Sequence, residues 1–229
     1  MSASAAGRSP AVLFDIDGTL VDSNYLHVYA WTCAFHEVGI PVDAWRIHRA
    51  IGMDGSTLVS TLSGDADDDT QQRLKDLHSG SYKELVPLLR VLPGGRDILE
   101  RVSSMGLQVV LATSAPEDEL SILRGLLDRD DLVSAVTSSA DVDTAKPDPD
   151  IIGVALDRAG VEADQAVFVG DTVWDAKACV RAGVCCVGVR SGGVSAEELR
   201  DGGAHAVYRD THDLVEHLAD TPIADLLRS

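Results

Sequence analysis

Four short segments carry side chains whose types and spacing can do chemistry. The first is Phe14-Asp15-Ile16-Asp17-Gly18-Thr19-Leu20. Residues two apart in an extended strand share one side of the chain, so Asp15 and Asp17 crowd together at a strand's carboxyl end. Their repulsion requires a cation or a shared proton to relieve it. A solvated Asx turn is the plain alternative, whereas an EF-hand loop would need its glycine at another loop position. The second segment is Thr113-Ser114, which offers hydroxyls and, with a helix starting there, free amides for an anion. Ser114 with Glu117 also reads as a capping box. The third is Lys146, one of four lysines in the chain, in Thr144-Ala145-Lys146-Pro147-Asp148-Pro149. The fourth, Val169-Gly170-Asp171-Thr172-Val173-Trp174-Asp175, places Asp171 at another strand end. Asp175 there can serve simply as the capping partner of Thr172.

Acid pair, hydroxyl, lysine and acid, in that order, are the parts needed for phosphoryl transfer. One carboxylate attacks phosphorus. A divalent metal and the lysine neutralise the phosphoryl oxygens, and a second acid handles the leaving group's proton.

The elements that must position these groups are strands and helices in alternation, the pattern of a parallel α/β sheet. Expected strands cover 11–15, 108–113, 135–138, 166–171 and 184–189, with a short sixth at 206–208. In such a sheet the carboxyl ends of the strands face the ligand crevice. Ser195 with Glu198 reads as a capping box, and Asp148-Pro149 as an N-cap followed by a first-turn proline. One connection departs from the rhythm: residues 23–90 show only helical patterning, at 25–38, 43–50, 54–62 and 70–85. That is far longer than an ordinary crossover, so it is read as an inserted helical domain. The acidic run 65–69 is expected in a turn between two of its helices. The division is therefore 1–22 and 91–229 as core, and 23–90 as insertion.

Composition narrows the function classes. The chain of 229 residues has 37 acidic and 19 basic side chains, a formal charge of −18, and 45% hydrophobic residues. The hydrophobic fraction excludes a disordered polyelectrolyte. The charge argues against nucleic acid or an anionic membrane as partner. No run approaches the roughly 18–20 apolar residues of a membrane span, and the first residues lack the apolar stretch of a secretory signal. Four cysteines without CxxC spacing, Cys185 and Cys186 facing opposite ways, fit a reducing cytoplasmic setting.

With these motifs in place, the sequence resembles the haloacid dehalogenase superfamily of phosphohydrolases, in the subfamily with a helical C1-type cap that includes phosphoglycolate phosphatases and beta-phosphoglucomutase. The resemblance spans nearly the whole chain and implies a Rossmann-like parallel sheet with an all-helical cap. It implies Asp15 as nucleophile, forming an aspartyl-phosphate, and Asp17 as general acid and then base. It further implies Thr113, the Ser114 backbone and Lys146 as phosphate-binding groups, with Mg²⁺ held by Asp15, the Asp17 carbonyl and Asp171. Asp175 would support Lys146 or the metal's waters, Gly18 would permit the tight turn, and Thr19 would orient Asp17. The expected substrate is a small phosphorylated metabolite, such as phosphoglycolate or a sugar phosphate, and the expected assembly a monomer or homodimer.

Within the cap, Asp22-Ser23-Asn24-Tyr25-Leu26-His27-Val28-Tyr29-Ala30-Trp31 is similar to capped sugar-phosphate phosphatases and to beta-phosphoglucomutase, and the spacing of His27 with Ala30-Trp31 matches the mutase. His27 either faces the aspartates or packs as an ordinary helix histidine, and Trp31 is read as cap core. The segment 46–53 resembles the cap's specificity loop, with Arg49 as the chosen substrate contact and Lys83 as a second cation near the return hinge. Asp17 argues against a dehalogenase, which needs no proton donor for halide. The lysine positions argue against a phosphonate hydrolase, whose Schiff-base lysine lies near the start of the cap. A hexose-phosphate mutase is the runner-up, although Ile51 and Gly55 stand where the mutase pattern has basic residues. A receiver-type signalling module or a non-catalytic phosphate binder is the alternative from another class. The receiver spacing does not match, because there the acid cluster is not followed by such an insertion.

Overall fold

The computed structural model describes residues 8–141 and 146–228. Its first strand, β1 (Ala11–Phe14), is entirely buried, as an apolar run between two helical layers must be. β2 (Gln108–Ala112), β3 (Val133–Thr137), β4 (Ala166–Gly170), β5 (Cys185–Val189) and β6 (Ala206–Tyr208) complete one parallel sheet in the order β3-β2-β1-β4-β5-β6. The chain winds outward from β1 through β2 and β3, then returns to β4. Strand order therefore reverses between β1 and β4, where a doubly wound sheet opens its crevice. Phe14 pairs in register with both Leu111 and Val169, so β1, β2 and β4 end level with one another.

Alternation along the strands feeds two cores. Val12 and Phe14 join the cluster against α5 (Gly95–Ser104) and α6 (Glu117–Leu127), while Ala11 and Leu13 join the cluster against α7 (Asp150–Ala159) and α8 (Val173–Ala182). α9 (Ala196–Gly202), α10 (Thr211–Glu216) and α11 (Pro222–Asp225) follow. Cys185 packs toward the first core and Cys186 toward the second, as alternation requires, and the four cysteines are free. No helix among the described residues is long and apolar enough to cross a membrane.

Between β1 and α5 lie α1 (Asn24–Glu37), α2 (Ala44–Ala50), α3 (Gly55–Ser63) and α4 (Asp68–Leu85). They surround an apolar cluster of their own, built on Trp31, Phe35, Ile47, Leu58, Val59 and Leu74. Asp67, from the acidic run, caps α4 by accepting from the Thr70 amide. The chain leaves and returns through adjacent segments: Val21 bridges antiparallel to Val91, and the Asp22 amide donates to the Arg90 carbonyl at 2.9 Å.

Three start signals resolve differently from one another. Ser195 and Glu198 form the expected capping box. Ser114 does not cap α6, which begins at Glu117 behind Pro116 with three acids in its first turn; the Thr113 hydroxyl instead accepts from the Ala115 amide. α7 likewise begins one residue late. Pro149 takes the N-cap position, and Asp148 pairs with Arg181 at 2.6 Å. Leu74 is fully buried among the four helices. Leu74→Ala should cost about 2–5 kcal/mol in urea unfolding; a loss below about 1 kcal/mol would contradict this packing.

Candidate active site

Three acids meet where β1 and β4 end. Asp15 follows β1 directly, and its amide extends the ladder by donating to the Val169 carbonyl at 3.0 Å. Asp171 follows β4, and Asp175 lies in the first turn of α8, locked in a capping box with Thr172. A Cβ on Gly170 would come within 2.7 Å of the Asp175 carboxyl carbon, so the last residue of β4 must be small. All three acids are buried, with carboxylate oxygens within 4.8 Å of one another.

Lys146 enters this group from the loop before α7; Thr144 and Ala145 of its motif lie outside the described residues. Its ammonium is 3.0 Å from Asp15 Oδ1 and 2.7 Å from Asp175 Oδ1, and its Nζ is 5.3 Å from the Phe168 ring centroid. Burial alone would lower the Lys146 pKa, but the charges of Asp15 and Asp175 outweigh it and hold the group above the ordinary lysine range. One cation does not neutralise three acids. Burial, opposed by Lys146 and reinforced by Asp175 and Asp17, lifts the Asp15 carboxyl to about 7. Asp171 lies well above the carboxylate range through burial and the charges of Asp175 and Asp15.

Asp171 accepts from Thr19 Oγ1 at 2.9 Å and Asn24 Nδ2 at 2.8 Å, so the Thr19 hydroxyl serves Asp171 rather than Asp17. Asn24 Oδ1, facing away from that bond, is buried without a hydrogen-bond partner among the described residues. Oxygen-only donors, excess negative charge and a buried acceptor with no donor together fit a hard divalent cation. Gly18 takes φ +74° at the turn, where a side chain would collide with Asn24 and Asp171.

Asp17 faces the helical segment. It accepts from Ser23 Oγ at 2.5 Å, and His27 Nε2 of α1 lies 3.5 Å from it. Burial would raise the Asp17 carboxyl, yet the hydrogen bonds from His27 and Ser23 hold it below the usual range. Burial would lower His27, and the hydrogen bond and charge of Asp17 reverse that. His27 is stacked on Tyr82, with centroids 4.0 Å apart, and its Nδ1 meets His78 Nε2 at 3.1 Å. His78, pushed down to about 2 by burial and by the charge of His27, accepts this proton and rests on Trp31 at 4.0 Å.

A cavity of about 400 Å³ opens from these acids to the helical segment. Asp15, Asp17, Thr113, Ser114, Lys146 and His27 line it, so these sequence-selected residues are brought together. Trp31, read as core, is buried and also forms cavity wall. Arg49 and Lys83 are not in the lining. Arg49 pairs with Glu198 at 2.5 Å and its carbonyl accepts from the Trp174 indole, while Lys83 pairs with Asp118 at 2.8 Å. Both tie the helical segment to the sheet side, as does His48 Nε2, which donates to the Gly192 carbonyl at 2.9 Å.

Sequence reasoning gave no site role to Ser23, Asn24, Lys75, His78 and Glu119, which hold or line the site. Ser23 and Asn24 stood beside the acid pair and offered a proximity signal; the others lie on distant helices without one. The Arg49–Glu198 pair is half exposed, so Arg49→Ala should reduce kcat/KM by less than about fivefold, the worth of a surface ion pair. A fiftyfold loss would place Arg49 in contact with substrate after all.

Comparison with known proteins gives a consistent picture. The sequence model of haloacid dehalogenase-like hydrolases matches residues 12–189. A phosphoglycolate phosphatase from Rhodospirillum rubrum is 32% identical over 219 residues, covering 91% of this chain and 90% of that protein. The crystal structure of a hydrolase from Pseudomonas syringae is 36% identical, with TM-score 0.88 over 93% of this chain and 99% of that one. A beta-phosphoglucomutase from Clostridium difficile, 20% identical, shares the fold with TM-score 0.82 over 96% of this chain and 100% of that one.

Proposed function

This chain belongs to the haloacid dehalogenase-like hydrolase family, and from that premise we propose a Mg²⁺-dependent phosphatase that hydrolyses a small phosphorylated metabolite through an aspartyl-phosphate. The observation that carries this reading is the buried ammonium of Lys146, held between Asp15 and Asp175 in the wall of the cavity. Phosphoglycolate, named for the relative in Rhodospirillum rubrum, and sugar phosphates are the substrate candidates.

Asp15 is the nucleophile: its carboxylate oxygen attacks phosphorus and the ester oxygen departs. Lys146 favours the ionised form of that carboxylate, orients it and also meets the phosphoryl oxygens. The Thr113 hydroxyl and the Ser114 amide complete the phosphate cradle. Asp17 gives its proton to the leaving oxygen, then takes one from the water that cleaves the aspartyl-phosphate. In the free site hydrogen bonds keep Asp17 ionised; an anionic ester arriving beside it raises its affinity for a proton. Asp15, Asp171 and the Asp17 carbonyl would hold Mg²⁺, which when bound supplies positive charge against the phosphoryl oxygens. Asp175 steadies Lys146. The segment 23–90 acts as the cap, hinged near 22–23 and 88–93, and excludes water when closed.

Inorganic phosphate release, measured with MgCl₂ across phosphoglycolate, hexose phosphates and nucleoside monophosphates, tests this. Release is expected from a subset of these esters, lost with EDTA and restored by Mg²⁺. Asp15→Asn should lower it at least about 10³-fold, the scale of losing a nucleophile. Unchanged release by Asp15→Asn would overturn the proposal. The contact of His27 with Asp17 favours one second reading, a hexose-phosphate mutase; interconversion of sugar phosphates outrunning phosphate release, given a bisphosphate activator, would establish it.

A further inference from the structure

The cavity holds a carboxylate that the proposed reaction does not use. Glu119, in the first turn of α6, is 5% exposed and forms part of the cavity wall. Among the described residues neither of its oxygens has a hydrogen-bond or ion-pair partner. Its neighbours are otherwise engaged: Asp118 takes Lys83, and His27 is shared between Asp17 and His78. Polar groups with so little exposure are nearly always hydrogen-bonded, so a carboxylate left open only to the cavity is available to a ligand there. Burial, together with the charges of Asp17 and Asp118, raises the Glu119 carboxyl despite the opposing charge of His27.

A carboxylate that lines the cavity and takes no donor from a described side chain accepts from whatever fills the cavity, water in the free site and substrate hydroxyls when substrate displaces that water. We propose that Glu119 is a specificity-determining residue that accepts hydrogen bonds from hydroxyl groups of the substrate, which makes that substrate the phosphate ester of a polyol rather than of a short carboxylic acid. The proposal rests on the phosphatase reading of the same site. A second carboxylate, brought in on phosphoglycolate, would meet Glu119 with like charge in a poorly hydrated space. Vicinal hydroxyls of a sugar or cyclitol instead donate to both of its oxygens. The volume agrees, since about 400 Å³ is generous for a two-carbon ester and lies within the usual range for a larger ligand. The helical segment adds to the cavity lining the hydroxyls of Ser56 and Ser79 and the ammonium of Lys75, which donates to Ser56 Oγ at 3.3 Å. Lys75 is the one feature that speaks for an acid substrate, so phosphoglycolate belongs in the test.

The test compares kcat and KM for glucose 6-phosphate, inositol monophosphate and phosphoglycolate in wild type, Glu119→Gln and Glu119→Leu. Wild type should prefer a polyol ester. Glu119→Leu should cut kcat/KM for that ester about 10- to 100-fold, the worth of buried hydrogen bonds to a charged group. The loss should fall mainly in KM, and phosphoglycolate turnover should hold or rise. Glu119→Gln, which keeps shape and one acceptor, should recover part of the polyol activity. A wild-type preference for phosphoglycolate, or equal losses on both ester classes, would overturn this proposal and leave the phosphatase reading intact. Absence of phosphate release from every ester would overturn both.

Discussion

The structure is organised around a repulsion. Asp15, Asp171 and Asp175 are forced together in a buried space by the ends of two adjacent strands and the first turn of one helix, with Lys146 set among them. Nothing in the packing demands three acids there; apolar residues would be cheaper to bury. The sheet tolerates them because other parts are fixed to serve them. Gly170 makes room for Asp175, Gly18 lets the chain turn away, and Thr19 and Asn24 donate to Asp171. The residual imbalance suits a divalent cation, and on the proposed reading that cation gives a phosphoryl group a place among so many negative charges.

Much of this could be read in the chain. Strands buried on both faces give short apolar runs, and an acid that ends such a run must lie at the sheet edge. That logic puts Asp15 and Asp171 at strand ends from their sequence context. The strand order, with its reversal between β1 and β4, then makes those two edges neighbours. Local chemistry was equally readable in the boxes of Thr172 with Asp175 and Ser195 with Glu198. It misled at Ser114, because Pro116 moves the start of α6 onward and the Thr113 hydroxyl takes the nearby amide.

What resisted reading were pairings between segments far apart in sequence. Arg49 and Lys83 looked like substrate cations because their partners, Glu198 and Asp118, belong to elements that only the fold brings near. His78 and Tyr82 lie on α4, about fifty residues from His27, and nothing local marks them as its stacking partners. Glu119 was hidden for another reason. An acid in a helix's first turn is ordinarily explained by the helix dipole, so a buried position facing a cavity leaves no trace in sequence. These contacts also couple the helical segment to the sheet: Asp17, the proposed proton-transfer group, is held by Ser23 and His27 from that segment.

The central claim is that Asp15 is covalently phosphorylated during turnover, and acid quench of the enzyme turning over a preferred ester, followed by peptide mass mapping, tests it most directly. The account predicts a phosphoryl group on the peptide that contains Asp15, formed and lost at rates that match turnover. Phosphate release with no phosphorylated peptide at any time, or with the phosphoryl group on another side chain, would contradict it.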